Sequence, residues 1–349
     1  MRQDTNYAYA VARIKVMENR LLKDADFDTL INADPEDILS VLAGYGYQAN
    51  IAVSSTAAVN ENDIDPLIAF QNSLSGFFSR SVIDIMKFSP EPEALSILLY
   101  PYDFANAKIC IKSIAGSRSG ELPGKPMLGD SGTVNSDALW NAFIKNDFTG
   151  INYDIAYGSR KALAELTGTG NARKADIILD KACYSSMRQA AGKCSFSTWL
   201  YLKKYLKIYA DWKNYITALR IRRFSAPKEL MDQAYIEGNI KKDYFIKALS
   251  DNSSVFADTP YEEFVKKEIR SSSDRKSGDM SDSDALQEIE RLSDKYLEAY
   301  TDKTKNEPYK INAIFVYLNF LKREISRIRI IIVGKRAGLS GDEIRKLLA

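Results

Sequence analysis

The side chains best placed for chemistry in this chain are acids and amides that recur on helical stretches. Asp103 stands three residues before Asn106, and the stretch closes with Lys112. Asp211 stands three residues before Asn214 and closes with Arg220. A weaker third copy runs from Glu324 through Arg327 to Val333. The starts lie 108 and then 113 residues apart. Positions three apart share one face of a helix, so each acid and its amide point the same way. Paired-carboxylate catalysis needs two neighbouring acids, and each copy supplies one. Asp and Asn are weak helix formers, so a polar partner is expected to hold each of them. The first reading is a polar contact that fixes domain geometry, and the second is a partner-binding face.

Other stretches invite a chemical reading and have a plainer one beside it. Gly120 to Pro126 faintly resembles a phosphate loop, but Pro126 stands where a Ser or Thr should hold the metal, so a linker is the plainer reading. Gly168-x-Gly170 lacks a third glycine and follows no strand, so it is not a dinucleotide fingerprint. From Trp199 to Arg223, Tyr201, Tyr205, Tyr209, Trp212 and Tyr215 interleave with Lys203, Lys204, Lys207, Lys213, Arg220, Arg222 and Arg223. That pattern suits a nucleic-acid or anionic-phospholipid surface. Aromatic stripes at helical spacing are more often core, with the lysines on the wet face. Near the C-terminus, Lys322, Arg323, Arg327, Arg329, Lys335 and Arg336 face only Glu324 in sign. Cations suit a helix C-terminus electrostatically. They equally suit an acidic partner or headgroups, which makes Arg323, Arg327, Arg329 and Lys335 candidate partner-binding residues.

Composition narrows the chemistry further. The chain has 349 residues, 48 Lys and Arg against 46 Asp and Glu, and no histidine. Without histidine there is no Ser-His-Asp or Cys-His catalysis and no His metal ligand. A net charge of +2 draws the chain strongly to neither nucleic acid nor anionic lipid. Cys110, Cys183 and Cys194 form no CxxC pair and are odd in number, which fits a reducing cytoplasm better than a disulfide framework or a zinc site. Met1-Arg2-Gln3-Asp4 leads into no apolar signal region. Runs such as Ile330 to Val333 fall far short of the roughly 20 residues that span a bilayer, so any membrane contact is expected to be peripheral. No cofactor, metal or small-molecule substrate is implied.

The elements that must position these residues read as helices throughout, with no alternating strand pattern. Helix is expected over 6–22, and over a short stretch that Asp34 caps and Pro35 opens. It is expected again over 62–88, where Ile64, Leu67, Ile68, Leu74, Phe78, Val82, Ile85 and Phe88 form one stripe. Further helices are expected over 100–115, 140–166, 172–191 and 197–222, then two short ones within 226–249, and 286–300, 308–333 and 340–348. Gly116 to Thr133 reads as a linker, and Ser271 to Asp284 as a solvated loop. The repeat spacing suits a helical domain used three times, at 1–117, 118–224 and 225–349. The tail after Leu339 matches the entry at Asp24 to Phe27, as if the two ends complete each other around an axis.

Four stretches carry a family resemblance. They are the opening Tyr7-Ala8-Tyr9-Ala10-Val11-Ala12-Arg13-Ile14, the Asp26-Phe27 entry, the run Tyr102-Asp103-Phe104-Ala105-Asn106-Ala107-Lys108, and the closing stretch from Glu324 to Lys335. Together with the threefold repeat they make the chain resemble, over its whole length, the C-subunit family of the V-type (A-type) ATP synthase/ATPase, the counterpart of the d subunit of eukaryotic V-ATPases. Ser326-Arg327 departs from the family's Arg-Asn, and the Ser/Asp-rich loop is long. The resemblance implies an all-α funnel of three similar domains around a pseudo-threefold axis. It implies a non-catalytic rotor part on the cytoplasmic face of the membrane. Its partners would be the proteolipid ring and the central-stalk subunits, and it would pass torque for proton or sodium transport. Nucleic acid would not be a partner. The alternative is the nucleic-acid or anionic-phospholipid module on 199–223.

Overall fold

The computed structural model describes residues 7–34, 36–47, 66–117, 128–129, 131–251, 256–272, 282–305, 307 and 310–348. The described residues are almost all helix and include no strand, so the chain is all-α. It divides into two compact units. The first comprises Met1–Asp103, Met127–Ser136 and Lys305–Ala349, and the second Phe104–Pro126 and Asp137–Thr304.

The first unit holds α1 (Ala8–Glu18), α2 (Asp24–Asn32), α3 (Ile38–Gly44), α4 (Pro66–Met86), α5 (Pro92–Ser96) and the start of α6 (Tyr100–Gly116). From the C-terminal part of the sequence it adds α15 (Ile311–Arg336) and α16 (Gly341–Leu348). α15 organises this unit: α4, α1, α2 and α16 all pack against it. Its sequence explains why. From Ile311 to Leu318 every side chain is buried, and all but Asn312 are apolar or aromatic, so this end is enclosed all round. Beyond Leu321 burial narrows to one stripe through Glu324, Ile325, Ile328, Ile331 and Ile332. On α4, Leu74, Phe78, Val82 and Ile85 are buried, the inner part of the expected stripe, while Ile64 lies outside the described residues.

The second unit holds the remainder of α6, α7 (Ser136–Lys145), α8 (Tyr153–Thr169), α9 (Ala172–Gly192), α10 (Phe196–Arg223), α11 (Leu230–Ala234), α12 (Lys242–Ser250), α13 (Glu262–Ser272) and α14 (Asp282–Asp302). α8 and α9 form a hairpin, and α10 packs against α9, α11, α12 and α14. The core here is aromatic. Trp212 and Tyr215 are fully buried among Phe245, Phe256, Tyr261 and Tyr296, with Tyr215 stacked on Phe256 at 4.3 Å between centroids. A buried ring of about 200 Å² at about 25 cal/mol per Å² contributes about 5 kcal/mol before entropy costs.

Several boundaries differ from expectation, each for a local reason. The helix expected over 140–166 is two helices. Asn146 takes a left-handed φ of 51°, Asp147 Oδ1 accepts from Thr149 N and Oγ1, and Phe148 turns in against Phe143. Asn152 then starts the second helix by accepting from Asp154 N. The short helix expected from Pro35 begins at Ile38, because Asp37 N bonds Asp34 O in a tight turn. Pro35 itself lies outside the described residues. Residues 271–272 and 282–284, expected in a loop, are helical, and 273–281 lie outside the described residues. α1 stops at Glu18 rather than running to Leu22, which leaves the Leu22 amide free for a partner elsewhere.

Candidate functional site

Asp103 sits in the first turn of α6 and is fully buried. Its carboxylate reaches a loop 30 residues later in sequence. Oδ1 accepts from Thr133 N at 2.8 Å and Val134 N at 3.0 Å, and Oδ2 accepts from Thr133 Oγ1 at 2.8 Å. α7 begins two residues beyond Val134. Gly132 lets the loop come this close, because a Cβ there would lie 2.3 Å from Asp103 Oδ1. Its φ of +112° also belongs to glycine.

Asp211, in the middle of α10, is fully buried and repeats the arrangement. Oδ1 accepts from Asn239 N at 2.8 Å and Ile240 N at 2.9 Å. Oδ2 accepts from Asn239 Nδ2 at 2.8 Å and from Tyr261 OH at 2.5 Å. α12 begins two residues beyond Ile240. A Cβ at Gly238 would lie 2.1 Å from Asp211 Oδ1. Asn214, one turn on, exchanges two hydrogen bonds with the Ile236 backbone, at 2.7 and 3.0 Å. Asn106 is buried at the matching position.

Glu324 makes the third arrangement with a longer side chain. Oε2 accepts from Leu22 N at 2.6 Å, and Oε1 accepts from Tyr47 OH at 2.6 Å. α2 begins two residues beyond Leu22, in the register of the other two copies. Here the contact joins positions 302 apart, so the two ends of the chain are tied together. Arg327, standing where the other copies have Asn, pairs with Asp24 at 2.9 Å and lies 3.7 Å over the Phe27 ring. Lys335 Nζ donates to Ala33 O at 2.7 Å, and Arg345 bonds Asp28 and Asn32. Ile344 is fully buried on this seam.

Electrostatics give the three carboxylates a common character. Burial raises the pKa of each, and the donors around it pull the value back. For Asp103 the balance lies at about 6. Burial and the neighbouring Asp211 carboxylate push the Tyr261 hydroxyl up, so it stays protonated and donates. Burial and Glu324 do the same for Tyr47. These acids spend their lone pairs on donors of their own chain. They act as locks, each fixing the loop that launches a short helix.

The residues that close the repeats are exposed or half-exposed ion pairs. Lys112 lies 3.5 Å from Asp176 and Arg220 2.9 Å from Glu290. Of the C-terminal cations, Arg327 and Lys335 are engaged as above, Arg323 lies near the Phe320 ring, and desolvation lowers the pKa of half-buried Arg329. On α10, Tyr201, Trp212 and Tyr215 are core rather than surface, which leaves only the partly buried Tyr205 and Tyr209 of the five rings for a stacking platform. The phosphate-loop candidate Gly120–Pro126 lies outside the described residues. Among the described residues no cluster of three metal-ligating side chains occurs, and no helix is long and apolar enough to cross a membrane.

The acids are legible in the sequence, but their partners Gly132, Thr133, Gly238, Asn239, Tyr261, Leu22 and Tyr47 are not. A signal for two of the loops was present. Gly132-Thr133-Val134 and Gly238-Asn239-Ile240 are both glycine, polar residue and β-branched residue, at nearly equal distance from their acids.

The chain is all-helical, and its three buried acids hold loops of the chain itself. Its family is specific: a profile of the family described as ATP synthase (C/AC39) subunit matches residues 10–347, and the chain belongs to that family. It is 25% identical to the C subunit of the A-type ATP synthase of Halorubrum lacusprofundi, over 99% of this chain and 97% of that protein. It is 22% identical to the corresponding A-type ATP synthase protein of Methanosarcina barkeri and 24% to that of Methanosarcina mazei, each over 99% of this chain and 93% of the relative.

Proposed function

We propose that this chain is a non-catalytic subunit of an A/V-type rotary ATPase, and that it acts as a socket in the rotor. In this reading it links the central stalk to the proteolipid ring on the cytoplasmic face of the membrane, touches the membrane peripherally, and transmits torque for ion transport. The family match over nearly the whole chain carries the reading. The three carboxylate locks support it, because they make a stiff frame and offer no reaction centre. We take the frame to be three helical repeats, 1–117, 118–224 and 225–349, the first two ending on their lock helices and the third adding α16 after its own. Moving one charge through about 100 mV is worth roughly 2.3 kcal/mol, so a socket passing the work of a few ions must hold against several kcal/mol. An interface of about 800 Å² on each partner, with a few buried anchors, is enough for that.

The test is purification of the tagged chain from membranes of its source organism in mild detergent. Proteolipid and central-stalk subunits are expected to co-purify, with the bound complex hydrolysing ATP and the isolated chain not. Recovery of the chain without either set of partners overturns the reading.

A further inference from the structure

The second unit carries a groove that the locks do not use. Its volume is about 550 Å³, and α6, α9 and α10 line it with α11 closing one end. The floor is apolar, built on Ile109, Ile177, Ile216 and Ile221. The walls carry five cations, Lys108, Lys112, Arg173, Lys213 and Arg220, against two acids. Both acids are already paired, Asp180 with Lys108 at 2.5 Å and Asp176 with Lys112 at 3.5 Å, and Arg220 is paired with Glu290 outside the lining at 2.9 Å. Among the described residues, Arg173 and Lys213 make no ion pair.

We propose that this groove binds an amphipathic helix of a partner protein that carries acids on both sides of an apolar stripe. Two observations choose that occupant. First, the apolar floor between charged walls is the complement of such a helix, whose anchors recur every three to four residues. Second, the cations are spread along the groove. Lys108 and Lys112 lie one turn apart on α6, and Lys213 and Arg220 two turns apart on α10. The lining from Lys213 to Phe224 spans about 16 Å at about 1.5 Å per residue, or about three helical turns. Carboxylates on successive turns of a helix repeat about every 5.4 Å and match that row. A lipid or nucleotide gathers its charge at one end and leaves the rest of the row unmatched.

The probe is a fluorescein-labelled 18-residue peptide with Leu at three- and four-residue spacing and Glu flanking the stripe, titrated with the full chain and read by anisotropy. Its controls are the same peptide with every Glu replaced by Lys, and anionic vesicles of phosphatidylglycerol. Binding in the micromolar range is expected for the Glu peptide at low salt, falling at least tenfold between 50 and 300 mM NaCl. Arg173→Glu with Lys213→Glu is expected to weaken it at least tenfold and to admit the Lys peptide instead. Arg173 lies in the first turn of α9, where Glu is favoured, so this variant keeps its helices, as circular dichroism will verify. Ile177→Ser is a second variant that removes an anchor without changing charge, and it too is expected to weaken binding. No binding, or binding that both variants leave unchanged, overturns the proposal. So does variant-sensitive binding of the vesicles with none of the Glu peptide. The measurement needs no ATPase partner, so its failure is separate from failure of the rotor reading.

Discussion

Asp211→Ala tests the lock directly. The substitution leaves four donors without their acceptor: Asn239 N, Ile240 N, Asn239 Nδ2 and Tyr261 OH. The two side-chain donors can turn toward water that enters the vacated space. The two backbone amides are fixed by the start of α12, and a buried unpaired amide costs about 1–3 kcal/mol. Two of them give about 4 kcal/mol. Desolvation of the native carboxylate, visible in its raised pKa, is relieved by the substitution and keeps the sum from growing further. At about 3 °C per kcal/mol for a unit of this size, the melting midpoint falls by about 12 °C. Thermal and urea unfolding followed by far-ultraviolet circular dichroism measures the loss. Amide hydrogen exchange locates it, and Asn239 and Ile240 are expected to lose protection before the α8–α9 hairpin does. Asp211→Asn keeps one acceptor oxygen for the two amides and is expected to cost less than half as much. A loss below about 1 kcal/mol with exchange unchanged at 239 and 240 would refute the lock.

Other outcomes follow from the same geometry. Asp103 has a folded-state pKa of about 6 against an ordinary 3.8, so between those pH values the folded chain keeps a proton that the unfolded chain has released. Its contribution therefore declines as pH rises through that window, by up to about 3 kcal/mol. Comparing urea midpoints of the wild type and Asp103→Asn at pH 4 and pH 7 should show the variant gaining relative stability at pH 7, and a constant difference contradicts the assignment. Gly238→Ala places a methyl 2.1 Å from Asp211 Oδ1 and should cost more than about 2 kcal/mol, yet cost far less in an Asp211→Ala background. Additive losses in the double variant's melting curve would count against the contact. Tyr47→Phe removes one donor from Glu324 and should cost about 1–2 kcal/mol by urea denaturation, while a neutral result would mean that water replaces the hydroxyl freely.

Most helical spans, the spacing of the acids and the family resemblance are legible in the residues alone. Helical periodicity is written in side-chain types, and α4, α9, α10 and α15 fall within a few residues of their expected spans. Absent histidine and absent strand patterns were equally legible, because composition and period are local properties. What Asp103, Asp211 and Glu324 hold becomes visible only in the packed chain. Their main partners are backbone amides, which every residue but proline has, so no residue type announces them. Gly132 and Thr133 read as linker until Asp103 is seen against them. The weak third copy reads as a decayed repeat until Glu324 is found on Leu22, where one extra methylene carries the carboxylate to a loop at the other end of the chain. Loop closure over 302 residues leaves no mark in a local window; it exists only once α15 has packed against α1 and α2.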